Sequence, residues 1–177
     1  MPYKLKGQIQ HYQWGGFEFI PHLLGEANPG REPFAEYWLG AHEKAPSDLM
    51  DGTTPIPLDR FIAHDPEKYL GPAAAGRFGR LPYLLKILDV RDMLSIQVHP
   101  TLEEARAGFE RENRMGIPLD SPKRNYKDDN HKPEMMVALS EFYLLHGFRK
   151  DHSLRDVLAA TPELASLASY YDKKGYQ

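Results

Sequence analysis

Cysteine does not occur in the 177 residues. Its absence excludes a disulfide framework and a thiolate metal site, so any metal must be held by imidazole, carboxylate or amide oxygen. Long apolar runs are missing too: no segment suffices to cross a bilayer, and the opening MPYKLKGQIQ has no apolar stretch of the kind that directs secretion. Nor is positive charge in excess. Lys and Arg number 22 against 25 Asp and Glu, a formal net charge of -3, with no basic run. Nucleic acid and anionic membrane surfaces are therefore not expected partners, and a cytoplasmic location is the default expectation. Neither internal repeats nor low-complexity tracts interrupt the chain. What is present is ordinary for a folded protein: 41% hydrophobic and 27% charged residues, enough for a core in one domain or in one domain plus part of another.

Pro and Gly crowd the first half, as in Ala27-Asn28-Pro29-Gly30-Arg31 and Asp51-Gly52-Thr53-Thr54-Pro55. These clusters predict turns between short extended segments, hence a β-rich body. Leu81 to Val90 and Met93 to His99 are apolar runs of strand length, the second ended by Pro100, and Phe142 to Phe148 predicts a further strand. Thr101 and Glu104 have capping-box spacing ahead of a stripe of Leu102, Ala105 and Phe109, which predicts a helix stopping near Gly116. From Gly116 to His131 the chain is polar and turn-rich. After Arg149 the texture becomes helical: Leu154, Val157 and Leu158 share one face, and Thr161-Pro162-Glu163 starts a second helix bearing Leu164, Leu167 and Tyr171.

Three places carry chemistry. In a strand, Ser95, Gln97 and His99 line one face while Leu94, Ile96 and Val98 line the other. Such a polar row suits either a solvent-facing strand, the commoner case, or the inside of a barrel where amide oxygen and imidazole grip one ion. Lys132 and Glu134 share a face if a strand begins there, with Pro133 restricting it to a start or an edge. That pairing reads as a surface ion pair or as a base beside a metal ligand. Lys86 sits among Leu84, Leu85, Ile87 and Leu88, so it faces solvent at an edge or a polar cavity where an anion compensates it. His11, His22, His42, His64, His146 and His152 show no metal-ligand spacing among themselves.

Ser95-Ile96-Gln97-Val98-His99-Pro100 and Tyr126-Lys127-Asp128-Asp129-Asn130-His131-Lys132-Pro133-Glu134 resemble the two signature segments of type I phosphomannose isomerases. Tyr12-Gln13-Trp14-Gly15-Gly16, Ala35 to His42 (AEYWLGAH) and Lys86-Ile87-Leu88-Asp89 agree with that family in content and order, so the resemblance runs from about Tyr12 to Phe148. It implies a mainly β fold: a cupin-type jelly-roll barrel over residues 1–149, followed by the start of an inserted α-helical domain at 150–177. It further implies one zinc ion bound by Gln97, His99 and Glu134, with a fourth ligand, a histidine, expected beyond Gln177 together with a catalytic arginine. On that reading the chain is an amino-terminal portion whose barrel lacks strands that later chain would return.

The implied reaction interconverts mannose 6-phosphate and fructose 6-phosphate through a cis-enediolate. Zinc held by two neutral ligands and one carboxylate keeps positive charge, which suits stabilising the enediolate oxygen. By position, Lys132 is the expected base and His131 the residue expected to open the sugar ring. Lys86 and Ser95 are expected to meet the phosphate. Trp14 is a candidate for stacking on the sugar and equally for the core. The expected partner is a phosphorylated hexose, and the expected state is a monomer or weak dimer. The alternative is a cupin-like module that binds sugar phosphate or metal without turnover.

Overall fold

The computed structural model of the chain describes residues 3–50, 54–145 and 147–175. The expected turn residues Asp51 to Thr53, and His146, lie outside them. The chain divides into two compact units, 1–94 and 95–177. No helix among the described residues is long and apolar enough to cross a membrane.

The first unit holds two antiparallel three-stranded sheets. In one, β1 (Lys4–Lys6) pairs with β4 (Asp48–Met50), which pairs with β5 (Ile56–Pro57). In the other, β3 (Glu36–Gly40) lies between β2 (Gln8–Gln10) and β6 (Leu84–Leu88). Gly7 lets the chain pass from β1 to β2. A Cβ there would meet the Tyr37 ring and the Trp38 carbonyl, and the Gly7 amide donates to the Tyr37 hydroxyl at 2.6 Å. The register places Ile9, Tyr37 and Ile87 side by side across the second sheet, and Gln8, Trp38 and Lys86 side by side in the next row. Because side chains alternate faces, the first row joins Ile20, Phe34, Leu24 and Leu39 in one hydrophobic cluster, and the second row lies on the opposite face. A second cluster packs Leu49, Leu58 and Ile62 with Phe61, Tyr69, Leu70 and Leu81. Each such side chain, once buried, contributes about 1.5–3 kcal/mol.

Four short helices complete this unit: α1 (Phe19–Leu24), α2 (Leu58–His64), α3 (Pro66–Leu70) and α4 (Pro72–Phe78). The last three replace the expected strand-and-turn texture of that region. Pro66 and Pro72 occupy the first position of α3 and α4, where a missing N–H costs nothing, and Gly79 ends α4 in a left-handed conformation. The Pro and Gly that punctuate this stretch are therefore helix boundaries as well as turns.

The second unit begins with residues 95–99, which form no strand. Val98, expected on an apolar face, is 84% exposed, Met135 91% and Leu139 85%, so burial does not alternate along either signature segment. Among the described residues of the strand expected at 142–148, only Leu144 holds a bridge position. A strand persists only where another offers its hydrogen-bonding edge, and the two sheets described above take in none of these residues. The expected barrel does not close among the described residues, whose strands make two open sheets. Helix α5 (Leu102–Arg114) forms as expected, with both capping-box bonds between Thr101 and Glu104 in place. Helices α6 (Asp151–Ala160) and α7 (Ala165–Lys174), joined through a 3-10 turn at Pro162–Leu164, also follow the expected pattern. Arg155 ties them by bonding Asp151 at 3.0 Å and Asp172 at 2.6 Å.

Candidate functional site

In the second unit the two signature segments meet. His99 Nδ1 lies 2.8 Å from the Lys132 carbonyl oxygen and 3.9 Å from Glu134 Oε2. A carbonyl oxygen only accepts, so Nδ1 carries the proton, and Nε2 becomes the ring nitrogen suited to a ligand. A carbonyl bonded to one ring nitrogen in this way fixes the tautomer and orientation that a metal-binding histidine needs. Ser95, Gln97 and His131 are exposed within the same unit. Among the described residues no group of three His, Cys, Asp or Glu gathers to hold a metal. The donors that do come together are one imidazole and one carboxylate, with the Gln97 amide two residues before the imidazole. The Lys132 ammonium donates to both oxygens of Asp128, each at 2.9 Å, and Asp128 also accepts from the Asn130 amide at 3.0 Å. Asp128 thereby closes the loop that presents Lys132 and Glu134.

What anchors that loop was not legible in the sequence. Arg124 and Glu112, with side chains only 1% and 5% exposed, form an ion pair at 3.3 Å. Glu112 accepts from the Tyr126 amide at 2.9 Å and from the Asn125 amide at 3.1 Å. Arg124 donates to the Ile117 and Tyr126 carbonyls, both at 2.6 Å, and to Asn113 Oδ1 at 2.7 Å. The Tyr126 amide above all, with Asn125 and the Arg124 charge, holds the Glu112 carboxyl below its usual range against the opposing effect of burial. Gly108 of α5 has no Cβ where one would strike the Tyr126 ring.

In the first unit Lys86 lies on β6, the last strand of its sheet, and both sequence expectations for it hold in part. It is at an edge, and an anion compensates it: Glu36 Oε2 is 3.7 Å from its ammonium. The ammonium also lies 5.3 Å over the Trp38 ring, a cation–π contact, while the Trp38 indole N–H donates to Glu36. Trp38 in turn contacts the His42 ring at 4.9 Å. Trp14 is half-buried and stacks on Tyr12 at 5.7 Å, a position between the core and solvent. Burial first, and then the Glu36 charge, raise the Tyr12 hydroxyl above its usual pKa. Glu36, Trp38 and Tyr12 belong to this face, although the sequence singled out only Lys86 and Trp14. Their signal was parity, since Glu36 and Trp38 alternate with the core residues Tyr37 and Leu39. Beyond Lys86, Asp89 is half-buried against the start of α1. Desolvation raises its pKa, the Phe19 and Ile20 amides oppose that, and Glu18 adds to it.

The second unit brings one imidazole and one carboxylate together, and the first carries on its own sheet a row of paired charge and aromatics. The chain belongs to the type I phosphomannose isomerases: the catalytic domain of that family matches residues 3–151. Among its relatives, mannose-6-phosphate isomerase of Escherichia coli (strain K12) is 42% identical over 167 residues, covering 92% of this chain and 43% of the relative. The Salmonella typhimurium enzyme of the same name is 44% identical over 149 residues, covering 83% of this chain and 38% of the relative. A crystal structure of the Salmonella typhimurium enzyme bound to its substrate fructose 6-phosphate and zinc has a TM-score of 0.66 at 45% identity, covering 73% of this chain and 33% of that one. The chain therefore spans less than half the length of the curated relatives it matches.

Proposed function

We propose that this chain carries the amino-terminal part of a zinc-dependent aldose–ketose isomerase that interconverts mannose 6-phosphate and fructose 6-phosphate. The observation that carries the reading is the meeting of the two signature segments at His99, 3.9 Å from Glu134 and bonded to the Lys132 carbonyl. Coverage of only 43% of the Escherichia coli relative supports reading the chain as a portion. Residues 1–149 would then contribute to a cupin-type barrel, and 150–177 would open an inserted helical domain.

Gln97, His99 and Glu134 are the residues that would hold zinc, and their chemistry fits it: neutral imidazole, carboxylate and amide oxygen, with no thiolate. Zinc, when bound, supplies positive charge beside the oxygens of the cis-enediolate. The remaining roles belong to side chains. Lys132, as the neutral amine, takes the proton from one sugar carbon and returns it to the adjacent one, and Asp128 holds that side chain in place through the bonds it accepts. His131 donates and accepts protons as the ring opens. Lys86 and Ser95 meet the phosphate. The Glu36 carboxylate beside Lys86 holds that ammonium in place, and Trp14 offers an apolar face to the sugar.

Zinc titration of the purified chain, paired with a coupled assay for fructose 6-phosphate, tests the proposal. Zinc binding is expected at one ion per chain and should fall at least about tenfold in Gln97→Ala, His99→Ala and Glu134→Ala. Metal content unchanged in all three variants would remove the assignment. Zinc binding without turnover, even in a chain of the relatives' length, would favour a binding module instead.

A further inference from the structure

The second unit has little apolar core around its metal-binding segments. Between residues 95 and 145, among those described, only Ala105, Gly108, Glu112 and Arg124 are buried. Two of the four are charged, and both hydrogen-bond the backbone of the segment that leads into Lys132 and Glu134. A buried ion pair is a poor choice for stability alone, since apolar residues of similar volume often do as well or better. Its distinctive ability is to fix register. Glu112 takes two successive amides, Asn125 and Tyr126, and Arg124 takes the carbonyls of Ile117 and Tyr126. Two residues later Asp128 continues the bonding by holding the Asn130 amide and the Lys132 ammonium, and the Lys132 carbonyl bonds His99. A series of hydrogen bonds, joined through the backbone of Lys127, therefore runs from the last turn of α5 to the imidazole, entirely within one unit.

We propose that Arg124 and Glu112 are positioning residues for the metal site, setting the register of residues 125–134 so that Glu134 and the Lys132 carbonyl arrive at His99. The inference rests on the reading of Gln97, His99 and Glu134 as zinc ligands. Neither residue touches substrate or metal.

The test compares wild type with Arg124→Met, Arg124→Lys and Asn113→Ala. Asn113→Ala removes a single exposed acceptor of Arg124 and leaves the ion pair in place. Amide hydrogen exchange across 125–134 is measured without metal, and affinity for zinc alone is measured by competition with a chromogenic chelator. In Arg124→Met the Asn125 and Tyr126 amides should exchange at least about tenfold faster, and zinc affinity should fall at least about tenfold. Arg124→Lys keeps the charge but not the guanidinium fork, so it should fall between wild type and Arg124→Met in both readouts. Asn113→Ala should move both in the same direction by less. A lower melting temperature in Arg124→Met with unchanged exchange at 127–134 and unchanged zinc affinity would reduce Arg124 to a structural role and overturn the proposal. If Arg124→Met does not fold, wild-type exchange and affinity in Asn113→Ala overturn it instead. Wild type that binds no zinc defeats the functional reading separately, while the exchange data still report on register.

Discussion

Gly108→Ala should destabilise the chain, although helix propensity predicts the reverse. Gly108 is interior to α5, where replacing Gly by Ala ordinarily gains about 1 kcal/mol. Here the new Cβ would lie 2.5 Å from Cε1 and Cζ of Tyr126, whereas carbon atoms in contact rest about 3.5–4.0 Å apart. The ring must therefore retreat by roughly 1 Å, and little lets it do so. The Tyr126 amide is held by Glu112, its carbonyl by Arg124, and the Arg111 guanidinium lies 5.5 Å over its face. Overpacking of this kind costs about 1–3 kcal/mol, so after subtracting the propensity gain the net loss is about 1 kcal/mol. Gly76→Ala supplies the matched control. Gly76 is exposed in α4, and its added Cβ would meet nothing within 4 Å, so that variant should gain about 0.5–1 kcal/mol. At this chain length 1 kcal/mol corresponds to about 2–4 °C, which places the two melting temperatures about 3–8 °C apart on far-ultraviolet circular dichroism. Gly108→Ala melting as high as Gly76→Ala would refute the claim that Tyr126 is held against α5.

Two carboxylates should respond to pH with opposite sign. The Glu112 carboxyl is held below its usual range when folded, so its contribution is complete above the unfolded pKa, about 4.3, and is lost as pH falls through the folded value. Glu112→Gln should accordingly flatten the acid side of a plot of melting temperature against pH. Asp89 is raised when folded, so it costs stability as pH rises from the unfolded pKa, about 3.9, through the folded value. Asp89→Asn should therefore gain on wild type above that range, and a loss there would show that the Phe19 and Ile20 amides outweigh desolvation. Thr101→Ala removes the cap of α5, whose hydroxyl accepts from the Glu104 amide at 3.3 Å. It should cost about 1 kcal/mol, measured by denaturant titration.

Local signals were the legible ones. The capping box at Thr101 and Glu104 and the helix start at Pro162 are written within four residues of chain, and strand β6 lies inside the apolar run it was read from. Helices α2, α3 and α4 were missed because each is only five to seven residues long, too short for an apolar stripe to declare its period. The strand expected at 93–99 rested on an apolar run of strand length ended by Pro100, and such a run becomes a strand only where another is there to pair with. The pairing of Arg124 with Glu112 lies outside any sequence rule. Charged residues in a polar, turn-rich stretch signal solvent, and only the fold shows that these two are enclosed. Lys86 was singled out correctly as an anomaly, but its partners Glu36 and Trp38 sit on a different strand and became visible only through the register of β3 with β6.

That register has an evolutionary consequence. Along β3 the odd-numbered Tyr37 and Leu39 belong to the hydrophobic cluster, whereas the even-numbered Glu36 and Trp38 face Lys86 with their polar and aromatic groups. The two sets can drift independently under substitution, one answering to the apolar core and the other to the charged and aromatic row. They cannot be separated under insertion. A single residue added or lost inside β3 exchanges the faces, sending a carboxylate into the core and a leucine to the charged row. Length changes in this family member should therefore collect in the connections on either side of Glu36–Gly40, and the strand itself should keep its count even where its letters change.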